Sequence, residues 1–110
     1  MRQRTTIKEL TKAEIRESAL KELAWRGYDC WRQNNIAVRG RHFIGRLGVS
    51  DIIGITKDGR WVVAEVKTLN DRLSPDQITF LNDIKKAGGE AYIACQEGSS
   101  VMPKEWEVTK

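Results

Sequence analysis

The chain has 110 residues, 40% of them hydrophobic, with a formal net charge of +4 and a pI near 9.3. That length suits one domain built round a single core, and no apolar run approaches the ~18 residues of a membrane span. Cys30 and Cys95 stand far apart without a CxxC, and His42 is the single histidine, which argues against a structural zinc site and leaves two reduced thiols in a cytoplasmic protein.

The opening, MRQRTTIKELTK, lacks the apolar stretch of a secretory signal. A first helix is predicted over residues 11–26. Thr11 followed three positions later by Glu14 forms a capping-box pattern, Gly27 supplies the stop, and Ile15, Ala19, Leu20 and Leu23 make the apolar stripe. YDCWRQNN, residues 28–35, reads as a strand of imperfect alternation, with Trp31 expected in the core and Gln33, Asn34 and Asn35 as polar strand-end residues. Residues 36–48 are rich in Gly and Arg and read as a loop or loose hairpin. No acidic residue occurs from Cys30 to Ser50, while Arg32, Arg39, Arg41 and Arg46 all fall there. The segment is either a solvated basic loop or a phosphate-contacting surface, and His42 within it reads as a loop or phosphate contact rather than a catalytic base.

The strongest local pattern follows. VSDIIGIT (49–56) and RWVVAEVK (60–67) flank KDG (57–59), a three-residue hairpin connection with glycine at the left-handed position. Ser74 and Pro75 open a second helix, with Gln77 completing another capping box and Gly88–Gly89 ending it; Ile78, Phe80, Leu81 and Ile84 give its buried face. EAYIAC (90–95) is a strand, and this helix is long enough to make the strands at 60–67 and 90–95 parallel. The tail, 97–110, is expected to lie outside the core, with a short helical turn after Pro103. The elements predict one α/β domain spanning 1–110, with its core over 11–96 and a mixed central sheet flanked by helices.

Within the strand at 60–67, Trp61, Val63, Glu65 and Lys67 share one face, and Val62, Ala64 and Val66 the other. A strand apolar on both faces lies inside a covered sheet, where charges are costly unless paired or bound to metal. With residues 57–59 as the loop, Thr56 faces Arg60 and Asp51 faces Glu65, their β-carbons roughly 4.5–5.5 Å apart. A divalent cation between the two carboxylates turns repulsion into binding. Lys67, one strand repeat beyond Glu65, then holds an attacking water or offsets charge on a phosphorane-like transition state. The alternative is a buried ion pair of Lys67 with Asp51 or Glu65.

Asp51, thirteen intervening residues, then Glu65-Val66-Lys67 resembles the D…ExK motif of the PD-(D/E)xK nucleases. GVSDIIG, VVAEVK and LSPDQITFLNDIKKAGGEAYIA in that order resemble, more narrowly, the VRR-NUC family of virus-type replication-repair nucleases, over about residues 11–96. The resemblance implies a restriction-endonuclease-like core and a Mg2+- or Mn2+-dependent DNA endonuclease. Small stand-alone members are similar to Holliday junction resolvases and are homodimers. By the same resemblance, Asp51 and Glu65 are metal ligands, Lys67 is the catalytic lysine, Glu14 is the first-helix acid reaching the metal, and Gln77 lies near the site and the DNA backbone. A helix cap explains Glu14 and Gln77 without any metal. The superfamily's proline before the aspartate is Ser50 here, as in many VRR-NUC members.

The reading is a nuclease that cuts branched DNA, with Arg32, Arg39, Arg41 and Arg46 gripping phosphates and no membrane partner. Its alternatives are a nickase or flap endonuclease without junction preference and a DNA-binding module of the same fold that does not cut. For a homodimer, Trp25, Trp31 and Trp106 are the candidate interface aromatics.

Overall fold

The first helix, α1 (Lys12–Trp25), begins where the sequence places its cap. Thr11 Oγ1 accepts from the Glu14 backbone N–H at 3.2 Å, and Glu14 Oε1 accepts from the Thr11 N–H at 3.1 Å. Gly27 ends it at φ +93°, a conformation that disfavours any side chain. The structure is a computed structural model and describes residues 7–33 and 46–109.

Along the described residues, α1 is followed by β1 (Asp29–Arg32), β2 (Ile52–Ile55), β3 (Trp61–Val66), α2 (Pro75–Lys86), β4 (Glu90–Glu97) and β5 (Ser100–Glu105). The strands form one mixed sheet in the order β1-β2-β3-β4-β5. The β3–β4 pair is parallel and the other pairs are antiparallel. The predicted hairpin register is the one observed: Ile52 pairs with Ala64, Ile53 with Val63 and Ile55 with Trp61. Thr56 and Arg60 close the turn through a 2.8 Å bond, with Gly59 at φ +84°.

The sheet's two faces carry two cores. Val62, Ala64 and Val66 of β3 point towards α1 and pack with Ile15, Ala19, Leu23, Ile52 and Ala94. Val63 and Ala91 pack on the other side against Phe80 and Leu81 of α2. All of Val62–Val66 is buried, as expected for a central strand covered on both faces.

Two expectations need correction. The tail is not outside the core and does not form a helical turn, because β5 pairs with β4 along its length and α1 packs on it. Pro103 is compatible with this strand for a simple reason. Its partner Ala94 turns its carbonyl to the Lys67 N–H of the neighbouring chain segment, 3.0 Å away, so Pro103 occupies a position that needs no donor on an edge strand. Trp31 is not core either. It is 42% exposed, because among the described residues α2 packs chiefly on β3 and β4 rather than on β1 and β2. The strand predicted over 28–35 runs from Asp29 to Arg32; Asn34 and Asn35 lie outside the described residues, as does most of the 36–48 segment.

Candidate functional site

β2 and β3 deliver their acidic residues to one end of the sheet. Asp51 precedes β2 by one residue, and continuing the register sets it opposite Glu65. Asp51 Oδ2 accepts from the Val66 N–H at 3.0 Å, and the Asp51 carbonyl accepts from Gln33 N–H at 2.7 Å. The segment leading to Asp51 is set against α2 at Gly48, which has φ +81°. A β-carbon there would come within 2.3 Å of the Asp76 carbonyl oxygen, so only glycine allows this approach.

Glu65 is 1% exposed. Its Oε1 accepts from Gln77 Nε2 at 3.0 Å, and its Oε2 is buried without a hydrogen-bond partner. Burial, and next the negative charge of Asp51, push the Glu65 carboxyl up to about 8. A buried carboxylate oxygen with no donor is costly in a folded chain. Two neighbouring carboxylates with that orphan oxygen suit a divalent cation, and Mg2+ commonly takes only one or two protein carboxylates, completing its shell with waters and substrate phosphate oxygens. Among the described residues no group of three or more His, Cys, Asp or Glu is arranged to hold a metal, so the fit is to this sparse type of site.

Gln77 organises the set. While its Nε2 donates to Glu65, its Oε1 accepts from Lys67 Nζ at 3.0 Å and from the Ser74 N–H at 2.9 Å. Lys67 Nζ also donates to the Arg72 carbonyl at 3.1 Å. Lys67 therefore forms no ion pair with Asp51 or Glu65 among the described residues, which disfavours the buried ion pair as the reason for these charges. Gln77 also serves the cap of α2, since its own N–H donates to Ser74 Oγ at 3.2 Å. Gln77 thus caps α2 and bonds to both Glu65 and Lys67.

The acidic pair faces a cleft of about 510 Å³ whose lining includes Lys12, Arg46, Gly48, Asp51, Glu65 and Gln77. Glu14 does not line it. Its oxygens serve the α1 cap and an ion pair with Lys8 at 3.2 Å, and these contacts hold its carboxyl below the usual range. Lys12 instead reaches the cleft from α1. Sequence reasoning passed over it, although a lysine in the first turn of a helix, where the macrodipole disfavours a cation, was a signal in plain view.

The basic residues divide. Arg46 lines the cleft, with its guanidinium paired to Asp83 at 2.5 Å and 5.1 Å from the centre of the Phe80 ring. Arg32 is exposed on β1, while Arg39, Arg41 and His42 lie outside the described residues. Both cysteines are free, and burial pushes the Cys30 thiol up to about 11, which keeps it protonated near neutral pH. No described helix is long and apolar enough to cross a membrane.

A family model described as the VRR-NUC domain matches residues 2–96. No curated protein is a significant match. Among solved structures the chain is similar to Archaeoglobus fulgidus Hjc, described as a Holliday junction resolvase from an archaeal hyperthermophile. The likeness has 22% sequence identity and a TM-score of 0.49, and it covers 79% of this chain and 74% of that one.

Proposed function

The chain belongs to the VRR-NUC domain family, and from that premise we propose that it is a Mg2+- or Mn2+-dependent endonuclease that cuts branched DNA in the manner of a Holliday junction resolvase. The observation that carries this reading is the buried Glu65, with its unpartnered Oε2, beside Asp51 in an open cleft. Selection for folding alone does not favour such a pair.

Asp51 and Glu65 hold the cation. When bound, it supplies charge stabilisation for the phosphoryl oxygens and eases loss of a proton from the attacking water. Gln77 keeps Glu65 Oε1 occupied, so that Oε2 is the oxygen left for a ligand. The same amide, with the Arg72 carbonyl, fixes the Lys67 ammonium close to the acidic pair. Held there, Lys67 orients the attacking water or offsets charge building on the phosphate in the transition state. Arg32, Arg39, Arg41 and Arg46 bind phosphates, which sets affinity more than chemistry.

Resolving a junction takes two symmetric cuts, and the described residues of each chain supply one such acidic pair, so a two-fold homodimer is the assembly that fits. Exposed aromatic surface supports it. Trp25 is 87% exposed on α1, and Trp31 of β1, Ile55 of β2 and Trp61 of β3 are 42%, 42% and 55% exposed. Light scattering at micromolar concentration, with and without junction DNA, is expected to give the mass of two chains. A monomer in both conditions would favour the nickase or flap reading.

The nuclease reading is tested by incubating the protein with four-way junction, flap, nicked and linear duplex DNA, with and without Mg2+ or Mn2+. Metal-dependent cleavage, fastest on the junction, is expected. Equal cleavage of flap or nicked DNA would remove the junction preference, and binding without cleavage under any condition would leave a DNA-binding module.

A further inference from the structure

Of the cations described around the cleft, Lys67 is held by Gln77 and the Arg72 carbonyl, and Arg46 is paired with Asp83. Lys12 differs from both. It is exposed at the first position of α1 and lines the cleft together with Asp51 and Glu65. No hydrogen bond or ion pair joins it to another described residue. Its positive charge nonetheless acts on Glu65 in the cleft, and also on Asp71, favouring the ionised form of each carboxyl.

Local structure gives no reason for a lysine there. The first turn of a helix exposes unpaired N–H groups and the positive end of the macrodipole, so a cation there is disfavoured relative to an anion. The α1 cap is already complete through Thr11 and Glu14, and Lys12 adds nothing to it. It is also not part of the apolar stripe, which is Ile15, Ala19 and Leu23. What the position does offer is reach. The side chain ends in an unengaged ammonium in the same cleft as Gln77, which anchors Lys67 from α2, and Glu65 Oε2 in that cleft is left unpartnered.

We infer that Lys12 is a substrate-contacting residue, whose ammonium binds a phosphate of the DNA strand lying in the cleft beside Asp51 and Glu65. An ammonium acts on phosphate as a mobile point charge and needs no fixed fork geometry, which suits an exposed side chain at a helix start. Unlike Lys67, which the protein holds in place, Lys12 is free to follow the strand as it enters. The inference rests on the nuclease reading for the nature of its ligand, and a test by binding separates the two.

The test compares wild type, Lys12→Ala, Lys12→Arg and Lys21→Ala. Lys21 is exposed on the same helix, half a turn away in angle from Lys12, and is assigned no part in binding. Junction DNA binding is measured without metal over a range of salt concentrations, and cleavage with Mn2+ in parallel. Lys12→Ala is expected to reduce the slope of log K against log salt by about one contact's worth, ~0.9, and to raise KM several-fold with a smaller change in kcat. Lys12→Arg should restore most of the slope, and Lys21→Ala should leave both readings at wild-type values. A Lys12→Ala slope equal to wild type overturns the inference, as does an equal loss in Lys21→Ala, which would reduce the effect to net charge. Because the slope is read without metal, a wild-type chain that binds but never cuts overturns the nuclease reading while still deciding the role of Lys12. A wild-type chain that does not bind DNA overturns both.

Discussion

Glu65→Gln and Asp51→Asn are each expected to lower DNA cleavage on the order of a thousandfold or more, with the fold and DNA binding retained. In the proposed mechanism, removing a carboxylate that would hold the cation forfeits several kcal/mol of transition-state charge stabilisation, and each ~1.4 kcal/mol is tenfold in rate. The folded structure tolerates both changes because they remove charge and almost no volume. A glutamine oxygen at 65 still accepts from Gln77 Nε2, and an asparagine oxygen at 51 still accepts from the Val66 N–H. Single-turnover cleavage with saturating Mn2+, read beside circular dichroism and metal-free DNA binding, separates lost chemistry from lost structure. Wild-type turnover in either variant would remove these residues from the site.

The second large effect is on stability, and its sign runs against habit for an acidic residue. Glu65 has its carboxyl pushed up from 4.5 to about 8 in the folded chain. Between those values the folded state holds a proton that the unfolded state has released, so stability falls as pH rises through this window and levels off above it. At about 1.4 kcal/mol per unit, the interval amounts to a few kcal/mol, or a Tm lower by on the order of ten degrees or more in metal-free protein. Glu65→Gln should abolish most of this dependence and should be more stable than wild type at pH 8 while being inactive. Mn2+ should raise the wild-type Tm at pH 8 and leave that of Glu65→Gln nearly unchanged, because a ligand stabilises only the state that binds it. Thermal melts of both proteins from pH 5 to 9 in chelator measure the effect. A wild-type Tm that rises across that range would contradict the burial and charge argument for Glu65.

Those two expectations depend on geometry that was partly legible in the sequence. The hairpin was the most readable element, because Gly59 fixes the turn type, the turn fixes the register, and the register alone brings Asp51 against Glu65. Both capping boxes were legible for a similar reason, since a cap is a contact between residues three apart. β5 was not. Its outward residues are polar or exposed, its inward side offers only Val101 and Pro103, and the proline's harmlessness depends on how Ala94 bonds to the strand on its other side. Trp31 was misplaced because strand membership does not reveal how far a helix extends over a sheet. Glu14 and Lys12 make the same point at the site itself. Their two-residue spacing puts them on different sides of α1, and which side meets the cleft is set by packing of Ile15, Ala19 and Leu23 on the sheet.

A Mn2+ titration followed by the paramagnetic resonance of the free ion decides whether Asp51 and Glu65 together form the proposed divalent-cation site. With wild-type protein at pH 8 the free Mn2+ signal should be depleted by saturable binding, more weakly at pH 6 where Glu65 retains its proton, and Glu65→Gln and Asp51→Asn should each lose that binding. Depletion that is absent in wild type, or equal in all three proteins, would contradict the assignment.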